Sequence, residues 1–307
     1  MADDILPASR PHRHSLRSVS RRIGAALAVC GLALGGGTEA VAQDSPAPLD
    51  QPLYNYHWVN DPLSQLLAMR LGPVLHRSEN SFFHAPDMAQ EAIDAQARGK
   101  VLYGPGTPIF IHAGKDTEPA ALCTLGIAGY DNENRPIGIT AAHCGDVGTY
   151  VSSADAQNMG TSGIVIGANK VHDYSVILFD AKRVELTRTY NGITVNSIGG
   201  EPGDREPICK RGVGTGTTCG TNLMTSDAYA YAQVCSTQGD SGAPLLRGDQ
   251  LVGFISGGLA LAGNTDLSCR TPLQGMLFTP AVGVTADAVL SEINANPKNP
   301  GAGLRLP

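Results

Sequence analysis

From about Ile109 onward, apolar residues fall in short runs separated by Gly, Asn and Asp, with β-branched residues prominent inside the runs. That pattern predicts strands and tight turns. The predicted strands are Leu122–Ile127, Pro136–Thr140, Thr149–Val151, Gly163–Ile166, Tyr174–Phe179 and Ile193–Ile198. A second set follows at Glu206–Lys210, Thr218–Met224, Ala228–Val234, Ala243–Leu246 and Gln250–Ser256, with Gly275–Thr279 after it. So many short strands without long helices between them imply an all-β body built as barrels or sandwiches. Helical patterning appears only at the margins. Asp61–Leu71 and Pro86–Arg98 read as helices, the latter stopped by Gly99, and Val284–Ile293 reads as one C-terminal helix. Tyr103-Gly104-Pro105-Gly106 breaks the chain between the partly helical leader and the β body.

The first residues are basic (Arg10, Arg13, Arg17, Arg21, Arg22), then apolar over Ile23–Leu34, then carry the small-x-small site Ala40-Val41-Ala42 before Gln43. This order predicts an export signal over residues 1–42 and a secreted product. Ser20-Arg21-Arg22 fits a twin-arginine signal as well as it fits the general route. Cys30 follows Leu27-Ala28-Val29, but Val29 is too large for a lipoprotein box, so Cys30 is expected to leave with the signal. No later run reaches the ~18 apolar residues of a membrane span. Residues 43–105, Pro-rich at Ser45–Pro48, hold the position of a propeptide that could inhibit and assist folding. A retained accessory segment is the alternative. The domain then runs 106–307, with barrels over about 106–198 and 199–280 and the helix over about 284–293.

Composition narrows the function. Charged residues are 16% of the 307, and the net charge is −6. No basic field exists to attract nucleic acid. Without Cys30, six cysteines remain: Cys123, Cys144, Cys209, Cys219, Cys235 and Cys269. An even set in an exported chain implies disulfides, with spacing alone leaving the pairing open. No CxxC pair suggests a zinc site, and neither metal nor cofactor is expected. A monomer acting on polypeptide is expected.

Three segments carry chemistry: Thr140-Ala141-Ala142-His143-Cys144, His172–Phe179 (HDYSVILF) and Gly239–Pro244 (GDSGAP). A serine hydroxyl is a weak nucleophile at neutral pH; it needs a base, and the base needs a group that fixes its tautomer. Ser241 is the candidate nucleophile, His143 the base and Asp173 the orienter. Asp173 heads an apolar strand, whereas Asp146, Asp155 and Asp180 read as loop residues. His172 is excluded as base because neighbouring strand side chains face opposite ways. The glycines around Ser241 allow a turn that aims the Gly239 and Ser241 N–H groups at one oxyanion. The order His–Asp–Ser differs from the Ser–Asp–His order of α/β-hydrolases, and Ala243 breaks their G-x-S-x-G elbow. Arg247-Gly248-Asp249 lies between two strands and reads as a hairpin turn rather than an adhesive motif.

The segment from about Ile109 to Phe278 resembles the bacterial secreted branch of chymotrypsin-like serine peptidases, the α-lytic protease and streptogrisin group. The resemblance rests on Cys123-Thr124-Leu125-Gly126, Thr140–Gly145, Ile208–Thr221 (ICKRGVGTGTTCGT) and Cys235–Gly242 with Ser256-Gly257-Gly258. It implies two antiparallel β-barrels (the trypsin-like fold) with the site in the cleft between them. It implies the pairs Cys123–Cys144, Cys209–Cys219 and Cys235–Cys269. It also implies a hydrogen bond from Ser256 to Asp173, and an edge at Ser256–Gly258 that pairs with the substrate backbone. Lys210 or Arg211 would neutralise Asp240. Cys235 stands where trypsin-like members carry a pocket carboxylate. With Ser236, Gln238 and Ile255 as walls, cleavage after small or medium uncharged residues is expected. Two features depart from the family pattern: Ala243 replaces a glycine, and Leu259–Ser268 is long. Rival readings are a catalytically silent binding module on the same scaffold and an esterase.

Overall fold

The alternating runs pair into two separate sheets, each curled around its own apolar interior. The computed structural model describes residues 55–79, 81–115, 117–259 and 267–307. The expected signal with Cys30, residues 43–54 of the leader and most of Leu259–Ser268 lie outside those residues.

The first sheet is a seven-stranded antiparallel half-barrel. Its strands lie in the order Pro119–Thr124, Pro108–His112, Tyr150–Ser153, Gly163–Asn169, Tyr174–Phe179, Pro136–Thr140 and Ile127–Tyr130. Ile109, Ile111, Leu125, Val151, Val165 and Ile177 fill its interior, none more than 2% exposed. The second sheet closes on itself. Pro244–Arg247, Pro207–Gly212, Gly216–Ser226, Tyr229–Ala232, Ala281–Thr285 and Gln250–Gly258 form a six-stranded antiparallel ring, because Gln250–Gly258 pairs with both Ala281–Thr285 and Pro244–Arg247. Ser197–Ile198 adds to its outside in parallel. Closure removes the exposed edges that an open sheet would leave. Ala243 turns its methyl into this barrel beside Ile208 and Leu245. The all-β body is therefore the one the strand pattern predicts, and of the barrels and sandwiches that pattern allows, the two-barrel form is the one the family resemblance implies.

Four expected elements differ, each for an identifiable physical reason. Leu122–Ile127 is not one strand, since pairing stops at Thr124 and resumes at Ile127. Between them Gly126 lies against Phe254, where an added Cβ would stand 2.3 Å from Cδ1. Ile193–Ile198 splits in two. Ile193–Thr194 forms a hairpin with Thr189–Tyr190 through Asn191-Gly192, both at positive φ, while Ser197–Ile198 crosses to the other sheet. Gly275–Thr279 is not a strand; it follows a 3-10 turn at Pro272–Gln274 capped by Thr271. The closing strand is Ala281–Thr285, and it absorbs the expected start of the C-terminal helix. Thr285 then caps that helix, which runs Ala286–Asn294.

The leader holds two short helices, Pro62–Leu67 and Gln90–Ala97, inside the two predicted windows. Strand His57–Val59 pairs with Val74–His76, and Val101–Tyr103 pairs in parallel with Val184–Leu186. Arg247-Gly248-Asp249 contains the turn of the hairpin between Pro244–Arg247 and Gln250–Gly258, with Gly248 at φ +62°.

Candidate active site

Pairing register sets the first two groups. Ser175 lies opposite Thr140 in neighbouring strands, so the chain leaving Thr140 and the chain entering Tyr174 meet at one end of the half-barrel. Asp173 sits there at φ +44°, a left-handed conformation that Asp tolerates better than most residues. Its Oδ1 accepts from the His143 backbone N–H at 2.9 Å, and its Oδ2 lies 2.8 Å from His143 Nδ1. A carboxylate can only accept, so Nδ1 carries the proton and Nε2 presents a lone pair. Ser241 Oγ lies 2.7 Å from that Nε2. Ser256 Oγ donates to Asp173 Oδ2 at 2.5 Å. Burial pushes the Asp173 carboxyl upward, but the hydrogen bonds from His143 and Ser256 outweigh it and hold the group below its usual 3.8. His172 faces away and bonds Glu292 of the C-terminal helix at 2.6 Å.

The second barrel supplies the serine on a turn seated against the first sheet. Thr124 N–H donates to Ser241 O at 2.9 Å, and Thr124 Oγ1 donates to Gly239 O at 2.7 Å. Gly242, at φ +81°, makes the close approach possible: a Cβ there would stand 2.1 Å from Thr140 Oγ1 and 2.5 Å from Thr124 O. Gly239 holds φ +91°, open to glycine and costly to others. Among the described residues, neither the Gly239 nor the Ser241 N–H has a protein acceptor.

Asp240 points the other way, into the barrel. It accepts from the Gly214, Thr215 and Thr237 N–H groups and from Thr215 Oγ1. Lys210 Nζ lies 2.8 Å from its Oδ2, with both side chains fully buried. Burial pushes the Lys210 ammonium pKa down, and the Asp240 charge opposes it. Arg211 does not reach Asp240; its guanidinium donates to Thr217 Oγ1. The three disulfides are Cys123–Cys144, Cys209–Cys219 and Cys235–Cys269.

Beside Ser241 opens a pocket of about 340 Å³, bordered by Ser236, Gln238, Ile255, Ser256, Gly257 and Gly258. Gly257 and Gly258 pair on one side with Val282 and Ala281. Among the described residues their other edge meets no strand, which leaves it open to an extended chain. Arg270 also borders this pocket; the motifs give no hint of it, because it follows Cys269 at the end of the long loop. A wider cleft of about 940 Å³ lies on the other side of Ser241, walled by His57, Val59, His76, Phe82, Phe110 and Leu122. The leader residues in that wall have no sequence signal. Thr124 could have been suspected from its motif, though not its bond to a residue far along the chain.

No protein-family model matches the sequence, and no curated protein matches it. Among solved structures, the chain is similar to the Nocardiopsis protease NAPase, at 22% identity over 63% of this chain and 97% of that one, TM-score 0.48. It is similar to Thermobifida fusca protease A at 22% identity over 62% and 96%, TM-score 0.48. It is similar to Cellulomonas bogoriensis chymotrypsin at 22% identity over 67% and 98%, TM-score 0.46. At these values the likenesses carry no weight for the chemistry, which rests on the side chains themselves.

Proposed function

We propose that this chain is an exported serine endopeptidase of the chymotrypsin-like kind. The observation that carries this reading is the continuous contact from Asp173 through His143 to Ser241, with lengths of 2.8 and 2.7 Å. Ser241 Oγ attacks the peptide carbonyl carbon while His143 Nε2 takes its proton. The carbonyl oxygen becomes an oxyanion held by the Gly239 and Ser241 N–H groups. The C–N bond then breaks, the amine takes the proton from Nε2 and departs, and the acyl group stays on Ser241. Water attacks that ester with His143 again as base, and the acid product leaves. Asp173 keeps Nδ1 protonated and balances the imidazolium charge. Ser256 fixes the carboxylate, and Lys210 compensates Asp240 within the nucleophile turn.

A fluorophosphonate probe tests this directly. It should label Ser241, and Ser241→Ala should abolish both label and peptide cleavage. A silent binding module would leave the probe unreacted. An esterase would turn over esters while leaving matched amides intact.

For the residue before the cleaved bond, we propose a small or medium uncharged side chain, because Ser236, Gln238 and Ile255 border the pocket and, among the described residues, no carboxylate does. A peptide-library cleavage profile tests this, and a dominant Arg or Lys preference would contradict it.

A further inference from the structure

The leader packs against the barrels through buried polar contacts. Arg77 and Asp155 form an ion pair at 2.7 Å with side chains 0% and 1% exposed. The same carboxylate accepts from Tyr56 Oη at 2.9 Å and Tyr190 Oη at 2.6 Å. Val101 and Tyr103 belong to the interior of the half-barrel, with no exposed surface. Next to the Arg77 anchor, Ser81 Oγ donates to Gly214 O at 2.8 Å, and the Phe82 N–H donates to Arg270 O at 2.7 Å. Between these fixed points, Ser78 Oγ lies 2.5 Å from Gln238 O, closer than its alternative acceptor, Glu79 O at 3.3 Å.

Gln238 O belongs to the peptide whose N–H is that of Gly239. A trans peptide is planar, with its C=O and N–H pointing in opposite directions. Fixing the carbonyl toward Ser78 therefore fixes the Gly239 N–H away from it. Gly239 is conformationally permissive, so this peptide has little else to stop it rotating. The leader walls the cleft on one side of Ser241 but leaves the other side open: no described residue of 55–105 borders the pocket at Ser236–Gly258, and the His143 side chain is 47% exposed.

We propose that residues 55–105 remain in the working enzyme, and that Ser78 is a positioning residue that holds the Gln238–Gly239 peptide so that its N–H faces the oxyanion. The proposal rests on the peptidase reading above. It assigns the leader a role in the chemical step, where a removable inhibitor would have none.

The test measures kcat per active site, with sites counted by fluorophosphonate titration of Ser241, in the full-length secreted protein. Ser78→Ala should lower kcat per titrated site at least about 10-fold with KM changed less than about threefold, as expected when a transition-state donor is lost from register. The Ki of a peptide aldehyde, whose hemiacetal oxygen occupies the oxyanion position, should rise by a similar factor. Ser78→Thr should restore most of the rate. A merely structural role for Ser78 would lower the number of titrated sites and leave kcat per site intact, and that result would overturn the proposal. Intact mass of the labelled wild-type species gives a second reading that needs no variant. It should retain residues 55–105; a labelled species beginning at or after residue 106 with full kcat per site would overturn the proposal. A wild type that fails to titrate would overturn the peptidase reading itself, and this inference with it.

Discussion

At the scale of single residues, the site depends on which charges are compensated and which protons are fixed. Asp173→Asn keeps the shape but can donate to Nδ1, so His143 can settle in the wrong tautomer; kcat should fall about 10⁴-fold. The carboxyl of Asp173 is held below its usual value in the folded chain. Its contribution to stability is thus fully present above the unfolded-state value near 3.8 and lost as pH falls through the lower folded value. Acid melts of wild type and Asp173→Asn should converge below about pH 4; curves that stay parallel there would contradict this. Lys210→Met strands the Asp240 carboxylate in the barrel and should cost about 3–5 kcal/mol in denaturant unfolding. Adding Asp240→Asn should recover part of that loss. Ser241, His143 and Asp173 could be singled out in the sequence because each sits in a short local pattern with chemical meaning, and the fold brings the three side chains together. Ser78 and Thr124 bond carbonyl oxygens far along the chain, and no local pattern announces such contacts.

Among the elements, strands were legible where short β-prone runs are bounded by turn residues: Pro136–Thr140 and Tyr174–Phe179, both almost wholly buried, have the predicted bounds. Errors arose where tertiary contacts override local pattern. Gly126 interrupts a run because Phe254 needs its space, and Ile193–Ile198 is shared between two pairings. Two of the three described helices start at a side-chain cap, Asp61 and Thr285, and the latter's side chain accepts the Ala288 N–H. Thr285→Ala should therefore cost about 1 kcal/mol, read as a lower denaturation midpoint at unchanged slope. The leader strand Val101–Tyr103 went unpredicted as part of a core, since its partner Val184–Leu186 lies far along the chain and carries no matching signal. Its docking should hinge on the Arg77–Asp155 pair. Arg77→Met should destabilise by about 3–5 kcal/mol and expose the leader to proteolysis, whereas unchanged stability would mean the pair is not buried in solution.

Across the whole molecule, covalent links stay within barrels. Cys123–Cys144 ties parts of the half-barrel, and the other two bridges lie in the second barrel. The seam is held without covalent bonds, by Thr124, Gly242 and the packing around Phe254. The Cys235–Cys269 bridge closes a span of 34 residues and Cys209–Cys219 a span of 10. On chain-entropy grounds, removing the longer one by paired Cys→Ser changes should cost more, each within about 2–4 kcal/mol. An all-β body was legible because many short strands without long helices leave only barrels or sandwiches, and the choice of two barrels came from the family resemblance; Arg270 at the pocket was legible from neither, since it lies outside every motif. Among the described residues, no helix is long and apolar enough to cross a membrane.

The proposed chemistry requires that Ser241 become covalently acylated by substrate. Mass spectrometry of a reaction with a slow peptide ester, quenched in acid within the first turnover, would detect that acyl group. One acyl group is expected on the fragment containing Ser241, decaying as acid product appears and absent in His143→Ala. Substrate cleavage with no acyl adduct, or an adduct on another residue, would contradict it.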